Sequence, residues 1–183
     1  MFPFEQQPTI VEPHSLQVIH SKLELIFKCL SKLYNQSPYC SALLDVNKAI
    51  LEHYKQALGY INKLRLAIQI QYPHGQIVPL SLEQMIQLSP QYSSKIPPSL
   101  QPKIAIESIN TQIHQLTIHL DQLAYMLRDC PDLEHRPLVL NCAQAMTELF
   151  QLQQFYIYPF HPELIPNYLK KVDFQYHFES IIK

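Results

Sequence analysis

Nine histidines and four cysteines are the side chains best suited here to bind a metal or act as nucleophiles. Two metal ligands on one helix must sit three or four positions apart to share a face. His114 and His119 are five apart, His14 and His20 are six apart, and no H-E-x-x-H occurs. The densest group of ligand types is Asp129, Cys130, Asp132, Glu134 and His135, which combines carboxylate, thiolate and imidazole. The same residues fit one helix ending and another starting, with Asp132 as cap and Glu134 in the first turn. We expect that arrangement rather than a metal centre.

The cysteines, Cys29, Cys40, Cys130 and Cys142, lack C-x-x-C spacing. The start, Met1-Phe2-Pro3-Phe4-Glu5, has neither a basic nor an apolar signal region, so we expect buried, reduced thiols. Cys40, just after Ser37-Pro38, is the best candidate for a nucleophile paired with a histidine, because a helix N-terminus lowers a thiol pKa. An oxyanion site to accompany it would need a glycine-rich or amide-bearing loop, and none is evident. His20-Ser21-Lys22 resembles, over these few residues, the histidine segment of histidine phosphotransfer bundles, where a lysine and a glycine follow the histidine. Here the glycine is missing and the spacing departs, so a solvated helical histidine is expected.

Glycine occurs only at positions 59 and 75, against about 7% in an average chain. A P-loop, a dinucleotide fingerprint and a G-x-S-x-G elbow each need several glycines close together, so all three are excluded. Charged residues make up 16%, and 20 glutamines fill the gap. Net charge is −1, and 11 lysines and 3 arginines are scattered among acids, which argues against nucleic acid as a partner. A weakly charged surface does not repel copies of itself or other proteins, so homo-oligomers are permitted. No apolar run approaches the 18 residues of a membrane span.

Four segments carry the 3-4 spacing of a helix face. After Pro13, Leu16, Ile19, Leu23, Ile26, Leu30 and Leu33 form the first stripe, ending near Gln36. Leu43, Val46, Ile50, Tyr54, Ala57, Ile61, Leu64 and Ile68 form the second, expected over Pro38 to Ile70, with Gly59 marking a bend or a close helix crossing. The third, from about Pro102 to Arg128, is the most regular: Ile106, Ile109, Ile113, Leu116, Leu120, Leu123 and Leu127. The fourth, Pro137 to Tyr156, uses Leu138, Cys142, Ala145, Leu149, Leu152 and Tyr156. Between the second and third lies a stretch rich in proline and serine, where Ser81-Leu82-Glu83-Gln84 reads as a capping box for a short helix, Leu82 to Leu88.

Short links make antiparallel neighbours. The expected fold is therefore all-α: a four-helix bundle of two antiparallel αα-hairpins joined by a long crossover. We expect one domain over 1–183, with an extended arm (1–13), a first hairpin (14–70), the crossover (71–102), a second hairpin (103–157) and an aromatic segment (158–183). That last segment carries Tyr158, Phe160, Tyr168, Phe174, Tyr176 and Phe178, six of the 19 aromatics. Residues 172–178 alternate apolar and polar, so a short strand competes with a short helix.

These features predict a non-enzymatic interaction module that binds another protein. Forms consistent with it are an adaptor, a complex subunit, a chaperone-like binder or a secreted bacterial effector. Scarce glycine with abundant isoleucine, glutamine and lysine fits an AT-rich genome, such as that of an intracellular bacterium. The six aromatics above are the expected partner contacts; no catalytic residue, metal or cofactor is expected, and the location is cytoplasmic, in the producing cell or a host. Two alternatives are an enzyme using a Cys–His pair or the Asp129–His135 group, and a bundle holding an apolar ligand in its core. Limited proteolysis should cut first within residues 89–99, between Ser89-Pro90 and Pro97-Pro98; first cleavage inside residues 103–128 would contradict the proposed boundaries.

Overall fold

The four apolar stripes become four α-helices in a computed structural model that describes residues 16–73 and 103–170. They are α1 (Leu16–Gln36), α2 (Asn47–Gln71), α3 (Ile106–Asp129) and α4 (His135–Leu152). No strand occurs among the described residues. The expected short helix at 82–88, and residues 172–178 with Phe174, Tyr176 and Phe178, lie outside them.

Every stripe residue of α3 is buried, from Ile106 to Leu127. In α4, Leu138, Cys142, Ala145, Leu149 and Leu152 are buried, while Tyr156 is half-buried against the core. α1 buries its stripe from Ile19 to Leu33 and α2 from Ile50 to Ile68, with Leu16 and Val46 half-buried, and Phe27 and Leu58 add to them. Around the bundle, α1 packs on α2, α2 on α4, α4 on α3, and α3 on α1. The core is the space enclosed by this ring.

Polar pairs reveal the directions. Glu24 near the start of α1 meets Arg65 near the end of α2. Lys22 of α1 donates to Gln122 Oε1 of α3 at 2.5 Å, and its Nζ lies 2.8 Å from His119 Nδ1. His53, early in α2, pairs with Glu148, late in α4, at 2.8 Å. All adjacent helices are thus antiparallel, which leaves α2 and α3 parallel and diagonally opposite. α2 is 25 residues long, about 37 Å at the helical rise. The end of α2 and the start of α3 therefore lie at opposite ends of the bundle. Just before α3, Ile104 N–H donates to the Tyr39 carbonyl at 3.2 Å.

The link between α1 and α2 corrects one expectation. The second helix starts at Asn47 rather than Pro38, after two 3₁₀ turns, Ser37–Tyr39 and Ser41–Val46. Cys40 between them is extended, so the α-helical ladder cannot run through it. The buried Leu43 nonetheless joins the core from this link, which is why the stripe looked continuous. Gly59 marks no close helix crossing. A Cβ built there meets nothing within 4 Å, and no glycine among the described residues has a positive φ. The position marks neither a close crossing nor a left-handed backbone.

No helix among the described residues is long and apolar enough to cross a membrane. Because Gly59 costs helix propensity and its Cβ would meet open space, Gly59→Ala should stabilise the fold by about 1 kcal/mol. A thermal melt should rise by roughly 2–4 °C; an unchanged or lower midpoint would show a constraint at that position.

Candidate functional site

Cys29, Cys40 and Cys142 sit where burial opposes ionisation of the thiol. Cys40 is buried at the α1–α2 link. Desolvation raises its thiol pKa and nearby Glu107 adds to the rise, against partial relief from the Ala42 and Leu43 amides. An activated thiolate needs the opposite direction. Cys142 sits inside the bundle and is pushed up to about 12 by burial. Burial also raises Cys29, with Lys32 opposing. No disulfide joins any of the four cysteines; three are buried and Cys29 partly so.

The Asp129–His135 group is dispersed. Asp129 takes both hydrogen bonds of the neighbouring Arg128, at 2.7 and 3.2 Å. Cys130 turns into the core, while Asp132, Glu134 and His135 face solvent. Among the described residues, no three His, Cys, Asp or Glu side chains are grouped to hold a metal. The helix start is built differently from expectation. Glu134, not Asp132, occupies the N-cap position of α4, and its side chain makes no cap bond. Instead Gln71, the last residue of α2, accepts from Glu134 N–H at 2.6 Å and donates to its carbonyl at 3.3 Å. A glutamine from the adjacent helix thus satisfies an orphan amide beside the helix end.

Of the other histidines singled out above, His119 faces Lys22 across α1 and α3. His14 lies outside the described residues. His20 is half-buried. His114 opens onto a surface hollow described next. Sequence reasoning missed His53, whose ring bridges to Glu148 and stacks obliquely on Tyr156 at 5.7 Å.

The aromatic segment divides. Tyr158 is buried, only 2% exposed, so this expected partner contact belongs to the core. The cause is local. α4 ends in a π-turn over Gln153–Ile157, closed where Tyr158 N–H donates to the Gln153 carbonyl at 2.8 Å. The wider turn redirects the chain, and such turns recur at functional sites. Gln153 is buried and donates to Asn110 Oδ1 of α3 at 2.8 Å, fastening the turn. Burial pushes the Tyr158 hydroxyl up to about 12, with Tyr168 nearby adding to the rise. Beyond Pro159 two 3₁₀ turns, Pro162–Leu164 and Asn167–Leu169, follow. Phe160 remains 54% exposed and Tyr168 71% exposed.

These pieces border a groove on the outside of α3 and α4. One hollow of about 260 Å³ is lined by Ile118 of α3, Met146 and Phe150 of α4, and Tyr168 and Leu169 of the segment beyond, with Gln153 and Tyr158 also contributing. A second, of about 180 Å³, lies between Tyr125 and Arg128 of α3 and Val139 of α4. Asp121 belongs to both. The spacing explains the continuity. Positions 114, 118, 121, 125 and 128 share one face of α3, and 139, 146 and 150 share one face of α4. Ile118, Tyr125 and Phe150 are 45, 52 and 39% exposed. The groove is lined by these apolar and aromatic side chains together with His114, Thr117, Asp121, Gln153 and Arg128.

No protein-family model, no curated protein and no solved structure matches the chain. On alkylation at neutral pH, all four thiols should react more slowly than a free cysteine, with Cys29 first and Cys142 last. A raised pKa leaves less thiolate, so the Cys142 rate should stay low to pH 9. One thiol reacting faster than free cysteine near pH 7 would restore the nucleophile reading.

Proposed function

We propose that this chain is a non-enzymatic helical-bundle module that docks another protein through the outer face of α3 and α4 and the aromatic segment beyond it. The observation that carries the reading is the run of exposed large apolar side chains along that groove, Ile118, Tyr125, Phe150 and Tyr168. A surface helix facing only water has a polar outer side, and contiguous apolar patches mark interaction sites. Tyrosine suits such a face, because its ring buries area while its hydroxyl stays hydrogen-bonded. The near-neutral charge of the chain sets no repulsive barrier to association.

The fitting partner is a protein presenting an amphipathic segment, with apolar side chains entering between the two helix rows. Adaptor, complex subunit, chaperone-like binder and secreted bacterial effector all use such a surface. The matching location is the cytoplasm of the producing cell, or of a host cell for an effector. The test is capture from lysate on the immobilised full chain, quantified for one identified partner. Ile118→Asp and Phe150→Asp should each weaken retention at least tenfold, since central apolar anchors dominate such interfaces. Leu66→Asp, at an exposed position on α2, should leave it unchanged. Equal retention by all three variants would remove the groove from the reading.

A further inference from the structure

We infer that the partner segment fitting this groove is an α-helix with large apolar side chains at i and i+7 and a lysine or arginine between them, at i+3 or i+4, opposite Asp121. The inference rests on the docking reading above and adds to it the partner's conformation and charge.

The conformation follows from the spacing of both walls. Ile118 lines one hollow and Tyr125 the other, seven residues apart on α3. Met146 and Val139 of α4 repeat that separation on the opposite wall. Seven helical residues make two turns, returning to nearly the same face. The hollows therefore stand about 10.5 Å apart along the furrow. A helix laid along it presents side chains i and i+7 at the same interval. An extended strand returns side chains to one face only every second residue, at about 6.7 or 13.4 Å. Such a strand misses one hollow when seated in the other.

The charge follows from Asp121, which borders both hollows. It lies three residues after Ile118 and four before Tyr125, midway between the two apolar sites. It is exposed, and among the described residues no cation pairs with it. Its helical neighbours Thr117, Ile118, Ala124 and Tyr125 are uncharged. Arg128, at the end of the second hollow, is engaged on its own helix. Its two hydrogen bonds go to Asp129, and its guanidinium lies 4.8 Å from the centre of the Tyr125 ring. A wholly apolar helix would cover Asp121 and desolvate its carboxylate without a partner, which is costly. A basic side chain at i+3 or i+4 meets that carboxylate from the same stripe that carries the two apolar anchors. An acidic one is repelled there, so Asp121 rejects wrong partners more than it adds affinity.

Selection on the immobilised full chain tests this, using a displayed library of random peptides about 16 residues long, ~24 Å as a helix. Retained peptides should share two large apolar residues seven apart. Lys or Arg should occur at i+3 or i+4 at least tenfold more often than Asp or Glu. With Asp121→Lys as bait that ratio should invert, and with Asp121→Asn it should fall to about one. Apolar residues in strict alternation, without the seven-residue spacing, overturn the helical partner. A charge ratio that is the same on the unaltered chain and on both Asp121 variants overturns the role of Asp121. Peptides lost on Ile118→Asp yet free of charge bias overturn this inference alone. Peptides retained equally on Ile118→Asp and the unaltered chain, or no retained peptide at all, overturn the docking reading and this inference with it.

Discussion

Leucine and isoleucine recur along four helices, and each stripe can leave water only by facing the other three. Apolar burial of this kind is strong but non-directional. One leucine fits a neighbouring stripe nearly as well a turn higher or lower, a slip of about 5.4 Å. The bundle resolves that degeneracy with polar clasps, one or more between each adjacent pair. α1 is tied to α2 by Arg65 and Glu24, and the turn just after α1 by the Ser37 and Tyr54 hydroxyls 3.2 Å apart. α1 is tied to α3 by Lys22, α2 to α4 by His53 with Glu148 and by Gln71 with Glu134, and α3 to α4 by Asn110 with Gln153. Such pairs add little net stability when exposed. Their geometry is satisfied in one register only, which is the best-attested use of polar groups at helix interfaces.

Arg65 shows the constraint at its sharpest. Its side chain is almost wholly buried, and burial lowers its pKa. Three features compensate for burying a guanidinium: the Glu24 carboxylate, the Phe27 ring 4.9 Å away and its own aliphatic stem in the core. Removing Glu24 alone would leave an uncompensated buried charge, so α1 and α2 are committed to each other once packed. The chain entering α3 is held to the link between them where Ile104 N–H donates to the Tyr39 carbonyl.

Periodicity made the helices legible. All seven α3 stripe residues were identifiable from spacing alone, because no proline, glycine or polar residue interrupts the stripe. It failed where backbone geometry departs from 3.6 residues per turn. The 3₁₀ link at Ser37–Val46 keeps Leu43 in phase with α2 while not belonging to it. The π-turn at Gln153–Ile157 sends Tyr158 inward although its neighbours in sequence read as surface aromatics. Gln71 and Gln153 escaped notice for another reason. They are two of 20 glutamines, and what distinguishes them is a partner 63 or 43 positions away, which no local pattern encodes.

The groove follows from an excess that core formation leaves unexplained. A four-membered ring needs one apolar stripe per helix, and α3 and α4 already supply Ile106 to Leu127 and Leu138 to Leu152 to the interior. Ile118, Tyr125 and Phe150 lie on the other side. Their placement is not scattered, since they fall on the two helix faces that flank one furrow, and the π-turn brings the chain to its end. An isolated exposed apolar residue needs no explanation. Apolar residues repeated at helical spacing on two neighbouring helices form a second stripe, subject to the same demand for burial as the first. Since all four helices already face inward, the ring itself has no further face with which to cover this second stripe.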